Sequence, residues 1–169
     1  LKPGQTLAVS GGPGAYGGYV IQLAKTDGLT VIADAAPSDE ALLKSLGVDI
    51  IIPRGDAFAD QVRARFPDGV DGLADGALLN AAAIPAVKDG GAFTSIRGFI
   101  GEAQRNIRFT ATSVRTYDCE YEKLDQLRQF VEDGALTLRV AGTVPPERAP
   151  EAHAKLEAGG TRGRMVIIF

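Results

Sequence analysis

The first two thirds of the chain alternate between short apolar runs and segments whose apolar residues recur at helical spacing. Six runs predict strands, at residues 6–9, 29–33, 49–52, 70–74, 92–96 and 107–110. Helix-like segments separate them, and residues 77–87 are predicted to form a helix that Pro85 breaks or kinks. This order predicts an α/β fold with a doubly wound parallel sheet, right-handed crossovers and helices on both faces.

The pattern changes after about residue 116. A long amphipathic helix ends at Gly134, and a strand at 136–140, a helix at 149–158 and a last strand at 164–169 are predicted to follow it. We therefore expect two parts, a first domain at residues 1–115 and a C-terminal helix–strand segment at residues 116–169.

Glycines cluster between the first predicted strand and the first predicted helix. Residues 12–17 are Gly-Pro-Gly-Ala-Tyr-Gly, which has the G-x-G-x-x-G spacing of a Rossmann-type dinucleotide-binding turn. Gly12 is expected to allow the tight turn, Gly14 to let a pyrophosphate approach, and Gly17 to let the helix pack closely on the strand. The helix that starts near Ala15 would direct its free N–H groups at the phosphates. The alternative is a tight turn that binds no ligand.

A carboxylate follows the second predicted strand, where a dinucleotide site holds the adenosine ribose. Asp34 could accept hydrogen bonds from the ribose hydroxyls, and it would repel a 2′-phosphate. The sequence has no Lys or Arg between Asp34 and Leu43 to offset that charge, so it favours NAD(H) over NADP(H). The alternative is that Asp34 only begins the turn before the next helix.

Two further groups lie at predicted strand ends. Arg97 and Gly98 follow the fifth strand, at the carboxyl edge where open α/β sheets bind ligands, and we expect them near the nicotinamide end of the site. Asp71 and Asp75 flank the fourth strand and suggest either an acid–base pair or ordinary loop chemistry, of which we favour the second. No catalytic residue is assigned.

The composition excludes several classes of function. The net charge of -3 gives no basic surface for nucleic acid, and no apolar run is long enough to span a bilayer. One cysteine, Cys119, and one histidine, His153, cannot form a zinc cluster or a disulfide, so we expect no zinc in this chain. The single thiol is typical of a reducing compartment, and a cytoplasmic location is expected.

Several stretches together resemble one family of enzymes. Residues 9–25 and 42–47, with the ending Glu-Ala-His-Ala-Lys-Leu-Glu-Ala-Gly-Gly at 151–160, are similar to the medium-chain dehydrogenase/reductase superfamily, especially its quinone oxidoreductase-like and alcohol dehydrogenase-like members. The resemblance implies an NAD(P)-dependent oxidoreductase that transfers hydride between a nicotinamide cofactor and a carbonyl, alcohol, enone or quinone. Tyr16 replaces a residue that is usually small in that family, and we expect it to narrow the site.

The resemblance also implies a partner domain. Members of the superfamily begin with a GroES-like catalytic domain, which would precede Leu1 and which residues 116–169 would complete. We therefore expect the chain alone to be inactive. The apolar tail at 165–169 is expected to pair with another chain, to be disordered, or to pack near Leu156, which favours a homo-oligomer. The alternative function is a dinucleotide-binding or sensor module without catalytic activity. A third interpretation is a methyltransferase with a similar glycine-rich turn, and the resemblance along the whole chain weighs against it.

Overall fold

The computed structural model describes residues 1–111 and 113–169, apart from the side chain of Thr116. The described chain divides into two compact units, Leu1–Leu136 and Thr137–Phe169. This boundary lies later in the chain than the predicted one. The predicted division between residues 115 and 116 separates a cofactor domain from a segment that would complete an expected catalytic domain, and it stays a prediction.

The first unit is built on a six-stranded parallel sheet with the strand order β3-β2-β1-β4-β5-β6. Its strands are β1 (Thr6–Ser10), β2 (Thr30–Ala35), β3 (Ile50–Pro53), β4 (Val70–Asp75), β5 (Val87–Ser95) and β6 (Arg108–Ala111). The order reverses between β1 and β4, which is the topological switch point of a Rossmann-type fold. The predicted fold class is confirmed.

Helices cover the sheet on both faces, and each face has its own apolar core. The helices of this unit are α1 (Ala15–Thr26), α2 (Glu40–Ser45), α3 (Phe58–Arg65), α4 (Val114–Tyr117) and α5 (Tyr121–Glu132), with 3₁₀ helices at Pro37–Asp39 and Asn80–Ala86. Ile21 of α1 and Leu43 of α2 are buried against one face. Phe58 and Val62 of α3 and Ile84 of the second 3₁₀ helix are buried against the other. The sheet is therefore doubly wound, as the alternating pattern predicts.

The predicted helix at 77–87 is wrong in type and extent. The structure has a 3₁₀ helix at Asn80–Ala86, with Pro85 inside it. Leu78 and Asn80 adopt positive φ angles of 61° and 51°, which no α-helix contains. The carboxylate of Asp75 accepts the Leu79 and Asn80 N–H groups and thereby holds the chain in this irregular turn before the 3₁₀ helix.

The predicted strand at 136–140 is also wrong. Gly134 ends the region of α5 with a φ of 74°, and the Leu136 N–H donates to the carbonyl oxygen of Phe130 at 2.9 Å. This is the backbone pattern of a helix terminus, in which an apolar residue just past the glycine folds back. Leu136 is buried for that reason and not because it belongs to a strand.

The second unit contains a small parallel pair of strands. Its elements are β7 (Val140–Val144), a 3₁₀ helix at Pro146–Arg148, α6 (Ala149–Glu157) and β8 (Arg164–Ile167). β8 pairs in parallel with β7 of the same chain, with Val144 opposite Ile167. The tail was expected to pair with another chain, to be disordered or to pack near Leu156, and none of these expectations included pairing with a strand of the same chain. Ile168 and Phe169 nevertheless remain exposed.

Among the described residues, no helix combines the length and the apolar character that crossing a membrane requires.

Candidate functional site

The glycine-rich loop leaves β1 through a left-handed turn at Gly11. Gly11 has a φ of 67°, whereas Gly12 does not lie in the left-handed region. The role predicted for Gly12 therefore belongs to Gly11, since only glycine adopts such angles without cost. A Cβ on Gly12 would lie 3.1 Å from the Cβ of Ala33 and 3.2 Å from a methyl carbon of Leu43. Gly12 is thus required for space against β2 and α2.

The other two glycines bring the start of α1 against the loop. A Cβ on Gly17 would lie 2.8 Å from Gly12 Cα and closer still to the carbonyl oxygen of Gly11. Gly17 therefore allows the close packing that its spacing predicts. A Cβ on Gly14 would meet only that same oxygen within 4 Å, at 3.1 Å. Gly14 has an extended backbone, which any residue can adopt. A side chain at this position would therefore occupy the space above the loop.

The N-terminus of α1 has the features of an anion site. Within this helix, all of whose residues are described, no side chain caps the start and the first turn contains no acidic residue. In the first turn, the Gly18 N–H donates to the Gly14 carbonyl oxygen at 2.9 Å. The N–H groups of Ala15, Tyr16 and Gly17 precede it and have no partner within the helix. Together with the positive end of the helix dipole, they fit a phosphate group.

Asp34 lies at the end of β2, directly beside the loop. Its carboxylate is buried, and Oδ1 accepts the Gly11 N–H at 2.6 Å. The Nε of Arg54, which follows β3, lies 3.3 Å from Oδ2. The premise that no cation lies near Asp34 is therefore wrong: Arg54 is distant in sequence but adjacent in the sheet. Beside this pair is a cavity of about 310 Å³, whose lining includes Glu40 and Arg54.

The carboxyl ends of β1 and β4 are joined by a buried polar cluster. The Ser10 hydroxyl donates to Asp75 Oδ1 at 2.5 Å and accepts the Ala77 N–H at 3.1 Å. Asp75 also accepts the Leu79 N–H at 3.0 Å and the Asn80 N–H at 2.7 Å. Two side chains thus hold the backbone of the loop after β4. Because a Cβ on Gly11 would lie 3.1 Å from Ala77 N, this loop abuts the glycine-rich loop.

Tyr16 lies on the β4 side of the loop and is half-buried. A Cβ on Gly76 would lie 2.9 Å from the Tyr16 ring, so Gly76 provides the space in which the ring lies. Burial, and after it the negative charge of Asp75, raises the pKa of the Tyr16 phenol. The ring therefore lies beside the carboxyl ends of β1 and β4. That it narrows the site stays a prediction.

Asp71 and Asp75 do not form an acid–base pair, because they lie at opposite ends of β4. Asp71 accepts hydrogen bonds from the Thr6 N–H at 2.8 Å, from the Thr6 hydroxyl at 2.7 Å, and from the Lys88 ammonium. Burial opposes ionisation of Asp71, but the bonds from Lys88 and Thr6 outweigh it and lower its pKa to about 2. Asp71 is part of the structural framework.

Arg97 and Gly98 lie in the turn after β5, at the same edge of the sheet as the glycine-rich loop. The Gly98 N–H donates to the Ser95 carbonyl oxygen at 3.1 Å, and Gly98 has a φ of 69°. The Arg97 side chain is exposed. The structure therefore puts them at the predicted edge, on the β5 side of the crevice.

The described residues contain no group of three or more His, Cys, Asp or Glu side chains that could hold a metal ion. Cys119 and His153 are both exposed. The residues present here do not fit a zinc site.

Sequence reasoning missed Gly11, Ser10 and Arg54. Gly11 has a signal, since it begins a Gly-Gly pair at the end of a strand, but adjacent glycines do not reveal which one turns. Arg54 follows a strand end as Asp34 does, and pairing those two strands in parallel would have brought the residues together.

The chain matches known proteins along most of its length. A family profile described as zinc-binding dehydrogenase matches residues 46–167. A 2-methylene-furan-3-one reductase from Solanum lycopersicum is 30% identical over 174 residues, which cover 99% of this chain and 41% of the reductase.

Solved structures have the same fold. A probable oxidoreductase from Mycobacterium abscessus has a TM-score of 0.83 at 26% identity and covers 100% of this chain and 56% of its own. A mycobacterial protein solved in complex with NADPH has a TM-score of 0.82, but at 24% identity that likeness concerns the fold alone; it covers 100% of this chain and 59% of its own. The chain thus spans about half the length of the relatives it matches.

Proposed function

The chain belongs to the zinc-binding dehydrogenase family, and from that premise we propose that it is the NAD(P)H-binding portion of an oxidoreductase. The family match confirms the resemblance to medium-chain dehydrogenases/reductases. One observation carries the proposal: an uncapped helix N-terminus, packed against three closely spaced glycines, lies at the switch point of a parallel sheet.

Each part of the site has a task. The Ala15, Tyr16 and Gly17 N–H groups bind the pyrophosphate, and Gly14 leaves it room to approach. Asp34 accepts hydrogen bonds from the adenosine ribose with the lone pairs that Gly11 and Arg54 leave free. Arg97 and Gly98 border the nicotinamide half. When bound, the nicotinamide supplies or accepts the hydride for a carbonyl, alcohol, enone or quinone.

We propose that NADH binds more tightly than NADPH. Arg54 offsets the charge of Asp34, but Glu40 also lines the neighbouring cavity, so the edge has two carboxylates and one guanidinium. A 2′-phosphate would add negative charge there. Arg54 should therefore reduce the preference for NADH over NADPH without reversing it.

Titration calorimetry tests the proposal with NADH, NADPH and S-adenosylmethionine as ligands. We expect NADH to bind most tightly and S-adenosylmethionine not to bind. Gly14→Val should abolish NADH binding, because its side chain fills the space above the α1 N-terminus. Ala41→Val, which adds the same side chain at an exposed position of α2, is the matched control and should bind as the wild type does. Equal NADH affinity in the two variants would contradict the assigned site.

We propose that these 169 residues alone do not turn over substrate. The support is that they span about half the length of their relatives and that the described part contains no metal-ligand cluster. Bound cofactor without a shaped substrate site has no near-attack geometry. NADH oxidation with quinones and enones should not exceed the buffer rate, and robust turnover would contradict the proposal.

We also propose a cytoplasmic homo-oligomer. Ile168 and Phe169 are exposed apolar residues beside the edge of a two-stranded sheet, which favours association. Sedimentation of the purified chain tests the first part through its mass, and fractionation of expressing cells tests the second.

A further inference from the structure

Six aspartates of this chain are followed directly by glycine. Glycine has no Cβ, so its backbone nitrogen approaches the carboxyl carbon of the preceding side chain with little obstruction. Such a pair can cyclise when the carboxyl group is accessible and the backbone between the two residues is free to rotate. The six pairs begin at Asp27, Asp68, Asp71, Asp75, Asp89 and Asp133.

Three of these pairs are enclosed by the sheet. The carboxylates of Asp71 and Asp75 are held in hydrogen bonds at the two ends of β4. A Cβ on Gly69, which follows Asp68, would lie 2.6 Å from a backbone nitrogen of β5, so the backbone there has no space to rotate. These three pairs are therefore protected from cyclisation while the sheet is folded.

Two more pairs are exposed but are held by contacts with other parts of the chain. The carbonyl oxygen of Gly28, which follows Asp27, accepts the Gly4 N–H at 2.9 Å. The Asp89 carboxylate lies 3.3 Å from a guanidinium nitrogen of Arg105, whose carbonyl oxygen accepts the Gly90 N–H at 2.8 Å. The carboxylate of this second pair and the nitrogen that would attack it are thus bonded to the same residue.

The sixth pair, Asp133 and Gly134, follows the end of α5 and is exposed. A Cβ on Gly134 would meet no described atom within 4 Å. The contacts of the described residues include none to the Asp133 carboxylate. The Gly134 N–H donates to the Val131 carbonyl oxygen at 3.1 Å, a bond at a helix end, where helices fray. This pair is therefore held least firmly of the six.

We propose that Asp133 is a site of spontaneous isoaspartate formation. The Gly134 nitrogen forms a bond to Cγ of the protonated Asp133 carboxyl group. The amide proton of Gly134 and the hydroxyl of that carboxyl group leave as water, which closes a five-membered imide. Water then adds to either carbonyl of the imide and breaks its bond to nitrogen. Breakage at the backbone carbonyl directs the main chain through the Asp133 side chain, so the main chain gains a CH₂ group.

The longer main chain changes the end of α5. Gly134 has a φ of 74°, and beyond it the Leu136 N–H donates to the Phe130 carbonyl oxygen at 2.9 Å while the Leu136 side chain is buried. This helix terminus depends on the number of main-chain atoms between its bonded groups. The modified chain therefore loses the bond between Leu136 and Phe130.

Peptide mapping of the intact chain after prolonged incubation at mildly alkaline pH tests the proposal. Trypsin releases Gln129–Arg139, which contains Asp133 as its single aspartate, and Asp89–Arg97, which is the internal control. An isoaspartate-specific methyltransferase labels the modified residue in each peptide. The first peptide should accumulate label at least about fivefold faster than the second, because the Asp89 pair must first break its bonds to Arg105.

Two controls separate the effect of structure from that of sequence. In concentrated urea the two peptides should gain label at rates within about twofold of each other, because neither pair is then held. Asp133→Glu, in which cyclisation would need a larger ring, should abolish the label in its own peptide and leave that of Asp89–Arg97 unchanged. In the folded wild-type chain, equal rates, a faster reaction at Asp89, or no label at Asp133 would each overturn the proposal.

Discussion

Aspartate side chains have different partners at the amino edge and at the carboxyl edge of the six-stranded sheet. At the amino edge, Asp71 and Asp49 pair with Lys88 and Lys25, and the pKa of each carboxyl is lowered. At the carboxyl edge, Asp34 and Asp75 accept backbone N–H groups of the loops after β1 and β4.

The difference separates stability from function. Ion pairs at the amino edge hold strands and a helix end together. Carboxylates at the carboxyl edge fix loop backbones, which leaves the α1 N-terminus available for a ligand. Substitutions at the amino edge should therefore change stability alone, whereas substitutions at the carboxyl edge should change cofactor binding.

Gly17→Ala should have the largest effect on stability. Its Cβ would meet backbone atoms of Gly11 and Gly12, which cannot rotate away, so we expect a loss of about 3 kcal/mol in the free energy of unfolding. Gly14→Ala is the matched control in the same loop and should lose less than about 1 kcal/mol. Urea unfolding measures both, and equal losses would show that the packing at Gly17 is not tight.

Asp34→Ser should narrow the preference for NADH over NADPH by about 1–3 kcal/mol, the range for hydrogen bonds to charged groups. The variant loses the acceptor for the ribose and leaves Arg54 unpaired to attract a 2′-phosphate. Asp27→Ser, at an exposed position after α1, is the control. A wild-type chain that already prefers NADPH would contradict the assignment.

Asp71→Asn should lower the free energy of unfolding by about 2 kcal/mol at pH 7, since the folded-state pKa of about 2 lies below the unfolded value of 3.8. The ionised form is favoured by folding, so this contribution is complete above pH 4 and disappears as the pH falls towards 2. The difference between variant and wild type should shrink over that window. NADH affinity should not change, and a weakened affinity would remove the distinction between the two edges.

Lys25→Met should have the smallest effect, a loss of about 0.5 kcal/mol. The Lys25–Asp49 pair is about one-third exposed at both side chains, and water and salt screen such pairs. Thermal unfolding at low and at high salt tests this, because the loss should diminish in 1 M salt. An unchanged loss would indicate that Lys25 acts through the packing of its aliphatic chain.

Local pattern explains which features were predictable. The glycine-rich loop and Asp34 were found because their spacing relative to single strands is short and regular. The proximity of Arg54 to Asp34 could not be predicted, because it depends on the pairing of β2 with β3, in which Ala35 lies opposite Pro53. No local pattern in the sequence shows that pairing. The α-helix predicted at residues 77–87 is absent because the left-handed backbone angles of Leu78 and Asn80 interrupt it, and hydropathy spacing does not show backbone angles. Leu136 was assigned to a strand because a helix-terminal apolar residue has the same hydropathy as a strand residue.

The most direct test of the central claim is an amide chemical-shift titration of the wild-type chain with ADP-ribose, which carries the pyrophosphate. If the pyrophosphate binds at the carboxyl edge, the largest shifts will be those of the Ala15, Tyr16 and Gly17 amides, and the amides of Thr6 and Asp71 at the opposite edge will not move. Saturable shifts centred at the amino edge, with the α1 N-terminus unaffected, would contradict the account.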